Sequence, residues 1–393
     1  MPPPIQNGVE PPRPAPTLRA MDIARRPLIA SAAALALPGC AADPRPAALA
    51  STTRGPKCLP AVNVAPGRVI RTVAGLRPYR AQGFVVRAEP LGDKRLVHNY
   101  GHGGAGITLG WGTSRLAVDL GLPGHGGPVA VLGCGIVGLT TARLLQEAGR
   151  QVTLYAAQLP PHTTSNVAGG QWHPASLYDP DRVTPEWIAQ FKAAMDYSWR
   201  RFQIMVGAEY GIRWMPTYLQ MPDDPAGDDA EPDLSSTYET DRVILGPGEH
   251  PFPVRRVRRF STLYAESGHL LRQLMRDVQI AGGRFVVRDF ATPTDILALP
   301  ETLVFNCTGL GAGTLFGDTG IEPVRGQLAV LLPQAEVQYA VAGQMGYMFP
   351  RDDGIVCGGT FEHGEWDPTP QPERIAKILA KQRGFFSGFR CTA

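Results

Sequence analysis

Two glycine-dense stretches carry the residues best suited to chemistry. The first is His98-Asn99-Tyr100-Gly101-His102-Gly103-Gly104-Ala105-Gly106-Ile107-Thr108-Leu109-Gly110-Trp111-Gly112. Missing side chains let backbone N–H and C=O groups approach a ligand without obstruction. Ile107, Leu109 and Trp111 alternate where the glycines thin out. The second is Gly133-Cys134-Gly135-Ile136-Val137-Gly138, directly after the apolar run Val129–Leu132. Leu139, Ala142, Leu144, Leu145 and Ala148 then recur at helical spacing, Gly149 ends the segment, and Val152, Leu154 and Tyr155 pattern as a further strand. Strand, glycine turn, helix, strand is the context that a GxGxxG fingerprint requires for dinucleotide binding. Gly133 permits the turn, Gly135 lets the backbone reach a pyrophosphate, and Gly138 allows close helix–strand packing. Ile136 and Val137 open the helix whose N-terminus stabilises phosphate charge. One feature is absent: where the second strand should end in Asp or Glu for the ribose, the sequence reads Ala156-Ala157-Gln158.

The fingerprint alone does not separate NAD from FAD. The segment Thr163-Thr164-Ser165-Asn166-Val167-Ala168-Gly169-Gly170-Gln171-Trp172 does. It resembles the flavin loop of the D-amino-acid oxidase family of flavoproteins, and the 98–112 run resembles another signature of that family. The resemblance implies FAD contacts from Thr164, Ser165, Gly169, Gly170 and Gln171, and from Gly103, Gly104, Ala105, Gly106, Ile107 and Thr108 near the pyrimidine end. Val304–Ala312 resembles a further flavoprotein motif, with Thr308 and Gly309 beside the phosphates. Val69–Arg80 resembles a family segment in which Arg77 clamps the substrate α-carboxylate, a role suited to a planar, permanently charged fork. Arg80 and Arg87 read instead as surface or strand-paired cations. Tyr347, in Tyr347-Met348-Phe349-Pro350-Arg351, is implied to donate to the same carboxylate, and Gly104 to offer its carbonyl to the substrate amine. Gly343 stands where many members carry a second active-site Tyr. Arg325-Gly326-Gln327 also matches and reads as structural.

In the family the 69–112 segments follow the fingerprint; here they precede it, so the order of motifs resembles a circular permutation. The implied fold is α/β: an FAD-binding Rossmann-like domain from 67–179, 261–320 and 350–393, and a mixed-sheet substrate domain from 180–260 and 321–349. The implied reaction is oxidative deamination of a D-amino acid to a 2-oxo acid and ammonia, with O2 reduced to H2O2. Its alternatives are a glycine or secondary-amine oxidase, a D-amino-acid dehydrogenase, and a non-catalytic FAD-binding lipoprotein. No side-chain base is needed if the amine reacts in its neutral form, so His98, His102 and His173 are not read as catalytic.

The rest of the chain frames this site. With 393 residues, 44% of them apolar and 19% charged, it suits a two-domain enzyme and not a disordered protein. A net charge of +3 gives no reason to expect nucleic acid, and Arg255–Arg259 reads as a solvated basic face. The six cysteines lack C-x-x-C spacing, so no zinc site is expected, Cys134 and Cys307 read as packing residues, and disulfides are not expected. Arg25-Arg26 followed by the uncharged run Pro27–Gly39 reads as an export signal, with Arg25-Arg26 similar to a twin-arginine motif. Leu37-Pro38-Gly39-Cys40 resembles a bacterial lipobox, implying a lipid on Cys40 and a periplasmic or membrane-anchored protein, with residues 41–66 as a tether. Trp187, Phe191, Met195, Trp199 and Phe202 share one face of a helix from Pro185 and read as core.

Overall fold

The computed structural model describes residues 58–223 and 234–390; the expected export signal and Cys40 lie outside these. Among the described residues the strands form two sheets. One has six strands in the order β2 (Val85–Leu91), β3 (Lys94–Tyr100), β10 (Leu303–Asn306), β4 (Val129–Leu132), β5 (Val152–Ala156) and β9 (Arg284–Val287). From β3 to β9 every pairing is parallel, and only edge strand β2 is antiparallel. The sequence explains this: Val129-Ala130-Val131-Leu132 is buried at all four positions, as a strand covered on both faces must be.

The other sheet has nine strands. It runs β1 (Val69–Arg80), β11 (Ile321–Leu331), β14 (Gly354–Gly358), β13 (Gly346–Arg351), β12 (Ala340–Gly343), β6 (Ile212–Gln220), β8 (Val257–Ala265) and β7 (Thr240–Leu245), with β15 (Glu362–His363) also paired to β11. The strand of the expected carboxylate arginine, β1, is thus an edge strand of this mixed sheet, with Arg77 opposite Val324. The sheets divide the chain differently from the expected domains. Residues 69–80, 257–265 and 354–363 belong with β6 and β11–β13, because hydrogen-bond pairing and not sequence adjacency assigns a strand to its sheet.

The helices are α1 (Gly106–Gly121), α2 (Ile136–Glu147), α3 (Thr164–Val167), α4 (Pro185–Ile204), α5 (Ser267–Ile280), α6 (Pro293–Leu297), α7 (Gly311–Phe316) and α8 (Pro372–Ser387). The alternation of Ile107, Leu109 and Trp111 lies inside α1, a buried helix, and not in extended chain. Its later glycines serve helix contacts: a Cβ on Gly112 would collide with the Ala194 backbone in α4. Polar groups pin α1 to α2. Ser114 Oγ lies 2.9 Å from Thr140 Oγ1 and 2.8 Å from Thr141 Oγ1, and Asn99 donates to both Ser114 and Thr141. The amide N–H2 of Asn99 and the hydroxyls of Ser114, Thr140 and Thr141 thus find partners, while Asn99 Oδ1 is buried without one. Helix α4 starts where Thr184 Oγ1 accepts the Trp187 N–H at 3.2 Å, with Pro185 at the first position, a favourable cap. Its stripe Trp187, Phe191, Met195 and Phe202 is buried in the main core, as expected, with Trp199 packed at the edge.

Two expectations about the N-terminal region change. Residues 58–66 are not a tether: Val62 and Val64 are buried, Tyr339 donates to Pro60 O at 2.6 Å, and Arg383 of α8 reaches Val64 O at 3.5 Å. Cys58 is disulfide-bonded, whereas Cys134, Cys307 and Cys357 are buried free thiols. Cysteine spacing carries no information about a pairing made by tertiary contact. Arg258 of the basic run pairs with Glu239 at 2.9 Å.

Candidate active site

A cavity of about 720 Å³ opens between the parallel sheet and the mixed sheet, within the size range of small-molecule and cofactor sites. The glycine turn after β4 forms one wall. Gly133 has φ +103°, and a Cβ there would run into the Cys307 carbonyl. Gly135 is the N-cap of α2 and brings no capping side chain from its own position. Ser165 Oγ accepts the Ile136 N–H at 3.0 Å, which fixes the hydroxyl loop beside the helix N-terminus. Gly133, Cys134, Gly135, Ile136 and Val137 all face the cavity. Backbone N–H groups with a helix dipole behind them form an anion cradle, so the residues present fit a dinucleotide pyrophosphate.

Most expected residues gather on this one cavity: Thr164, Ser165, Gly169, Gly170, Gln171, Thr308, Gly309, Gly103, Gly104, Gly106 and Ile107, together with Arg77 and Tyr347. Three do not. Ala105 is fully buried away from it. Thr108 turns inward, its hydroxyl donating to His173 O at 2.9 Å and accepting the His173 N–H at 3.0 Å. Gly138 packs against the Gly133 carbonyl, the helix–strand contact expected of it. Helical winding from Gly106 onward carries Thr108 off the cavity face.

Arg77 and Tyr347 meet, although 270 positions separate them in the sequence. Burial raises the Tyr347 hydroxyl above its ordinary pKa, and the positive charge of the nearby Arg77 guanidinium partly offsets this. Arg77 Nη1 reaches Thr360 O at 3.3 Å and Val324 O at 3.5 Å. Among the described residues no carboxylate pairs with it, while Arg80 pairs with Asp318 at 2.9 Å and Arg87 with Glu89 at 3.2 Å. An unpaired guanidinium beside a neutral phenol on a cavity wall is a receptor for a carboxylate.

Sequence reasoning missed what makes room for this pair. A Cβ on Gly326 would sit 2.6 Å from Arg77 Cζ. Gly358 and Gly359 leave space for the Tyr347 ring, and Phe349 stacks on that ring with centroids 4.6 Å apart. Phe361, half exposed, lies under the guanidinium with 5.8 Å between Cζ and its centroid. Gly326 was visible as part of Arg325-Gly326-Gln327, but only its packing neighbours, Arg325 and Gln327 bound to Glu362, have purely structural roles. His102 lines the cavity yet is sealed in. It stacks on Phe84, contacts Thr113 Oγ1 at 2.8 Å, and burial lowers its pKa to about 3. It is therefore neutral and a poor base.

A GxGxxG turn on a parallel sheet, a hydroxyl loop over it and a carboxylate receptor across the cavity define a dinucleotide-dependent oxidoreductase. The sequence model described as "FAD dependent oxidoreductase" matches residues 47–120 and 128–392, and the chain belongs to that family, which takes in the D-amino-acid oxidases. FAD is its cofactor and an amino acid its class of substrate. A D-amino-acid oxidase from Streptomyces coelicolor is 31% identical over 262 residues, covering 65% of this chain and 76% of that protein. Human D-aspartate oxidase is 28% identical over 265 residues, covering 64% and 74%. Among solved structures, glycine oxidase from Bacillus cereus superposes with a TM-score of 0.51 at 18% identity, covering 66% of this chain and 78% of that one. Iminodiacetate oxidase from Chelativorans sp. gives 0.51 at 19%, covering 66% and 79%. At such identity these two speak for the fold alone.

Proposed function

We propose that the protein oxidatively deaminates D-amino acids, with O2 as electron acceptor. The observation that carries this reading is the Arg77 guanidinium, without a carboxylate partner among the described residues, on the same cavity as Tyr347 and the dinucleotide turn. The substrate α-carboxylate takes the fork of Arg77. Tyr347, kept protonated by burial, donates its hydroxyl to the same group. Gly104, whose N–H donates to Ser176 O at 3.1 Å, is held beside Arg77 as a backbone contact for the amine. With the carboxylate and amine both held, only one enantiomer turns its α-hydrogen, rather than its side chain, toward the flavin, which sets the handedness of turnover. Held along Gly133–Val137 and Ser165, FAD would supply a two-electron acceptor for the α-hydrogen and its electron pair, with O2 as the final oxidant. Hydrolysis of the resulting imine gives the 2-oxo acid and ammonia.

Leu328, Ala342, Phe349 and Phe361 add apolar surface to the cavity that Arg77, Tyr347 and Thr360 line. The other arginine lining the cavity, Arg288, lies past β9 on the dinucleotide side, stacked on Phe290. Among the described residues lining the cavity, Arg77 and Arg288 are the only Lys or Arg, so a second substrate carboxylate beside Arg77 would lack a cation on the cavity wall, and uncharged side chains are favoured over D-aspartate. Anaerobic titration of the flavoprotein tests the reading: D-alanine bleaches the flavin absorbance, L-alanine does not, and O2 restores it with H2O2. Bleaching by sarcosine but not D-alanine refutes it in favour of a secondary-amine oxidase, and no bleaching by any amine favours a binding protein.

We further infer that the motif order is rotated relative to the family. Supporting this are the two matched blocks that break at the exposed loop Pro123–Gly127, and the packing of residues 62–64 against α8, which brings the two ends of the described chain together.

A further inference from the structure

We propose that Asp289 supplies the carboxylate that receives the adenosine ribose hydroxyls of FAD, in place of the acidic residue missing after β5. The inference rests on the dinucleotide lying along Gly133–Val137. In a doubly wound sheet the ribose is met at the carboxyl end of the strand next to the glycine turn. Here that strand, β5, ends in Ala156, followed by Ala157 and Gln158, and none of these carries a charge.

The neighbouring strand solves the problem. β9 runs parallel to β5, with Ala156 opposite Val287, and the Arg288 N–H donates to Ala156 O at 3.0 Å. The two strands therefore end level. Asp289 emerges two residues past the last pair, one strand spacing (about 4.8 Å) to the side. It lines the same cavity as Ala157, Gln158 and Phe290.

The side chain is both held and available. Asp289 Oδ1 accepts the Phe290 N–H at 2.9 Å, which fixes its direction and leaves Oδ2 unused by the protein among the described residues. Among those residues no Lys or Arg pairs with it. The adjacent cation, Arg288, lies over the Phe290 ring, with 4.8 Å between Cζ and the centroid, and donates to Asp295 O at 3.1 Å. A vicinal diol offers two O–H donors to a carboxylate, a charge-assisted arrangement stronger than any Gln158 amide contact.

The test is flavin binding and needs no turnover. Apoprotein is titrated with FAD and with FMN, which lacks the adenosine half, and binding is followed by flavin fluorescence. Asp289→Ala should weaken FAD binding about 10- to 100-fold and leave FMN binding and the apoprotein melting temperature unchanged; Asp289→Asn should fall between. FAD affinity within twofold of the parent would overturn the proposal, as would equal losses for FAD and FMN. A larger FAD-specific loss in Gln158→Ala would assign the ribose to β5 instead. If the unaltered apoprotein binds FMN and FAD equally, the placement of the dinucleotide along Gly133–Val137 fails with it.

Discussion

Replacing Arg77 by Ala isolates the substrate half of the site from the flavin half. In the resting protein the guanidinium makes long hydrogen bonds, at 3.3 and 3.5 Å, to two backbone carbonyls and lies over the Phe361 ring, with Tyr347 nearby. With no carboxylate partner among the described residues its removal strands no opposite charge, so the fold should lose little stability. The substrate, by contrast, loses its charge-assisted bonds. A hydrogen bond to a charged group contributes about 1.5–3 kcal/mol. Because Nη1 is shared with the two carbonyls, a carboxylate gains less than two full bonds from the fork. A total of about 2–4 kcal/mol corresponds to a fall of roughly 30- to 700-fold in kcat/KM for D-alanine. Arg77→Lys keeps the charge without the fork and should lie between. Gly326→Ala offers an independent route to the same effect, since its Cβ would stand 2.6 Å from Arg77 Cζ and displace the guanidinium while leaving the charge in place. Steady-state oxygen consumption measures turnover, and the flavin absorbance spectrum and melting temperature check the fold. If Arg77→Ala retains turnover within threefold of the parent, Arg77 does not hold the carboxylate. If it loses flavin instead, the division of the cavity into two halves is wrong.

Two further outcomes follow from the structure. Burial lowers the His102 pKa to about 3, so the folded protein declines a proton that the unfolded chain accepts below about pH 6.5. This contribution is complete above pH 6.5 and is lost as pH falls toward 3, at up to about 1.4 kcal/mol per pH unit. Urea unfolding from pH 7 to 4.5 should show a slope shallower by about one proton in His102→Gln than in the parent, and identical slopes would refute the assignment. A re-ordered chain, opened within Pro123–Gly127 and joined by a flexible linker between the end of α8 and residues 58–62, should bind FAD and turn over as the parent does. A re-ordered chain that melts like the parent but binds no FAD would remove the support for a rotated family order.

The sequence by itself determined the cofactor half. A GxGxxG turn needs only local strand, helix and glycine chemistry: Gly133 makes the turn its place in the fingerprint implies, and Gly135 lines the cavity at the start of α2. The hydroxyl loop was legible for the same reason: Ser165 bonds to the first turn of α2 across 29 positions, but its composition announced it. Only the tertiary structure decided the rest. Whether Thr108 met the ligand depended on helical winding that begins at Gly106. Whether β1 belonged with the dinucleotide strands depended on its antiparallel register with β11, a pairing across some 250 positions that no local pattern encodes. The room that Gly326 leaves for the Arg77 guanidinium and the carboxylate of Asp289 at the end of the adjoining strand arise from how sheets align. Short-range sterics write themselves into neighbouring residues; the meeting of Arg77 with Tyr347 is fixed by the global packing that brings distant strands into one sheet.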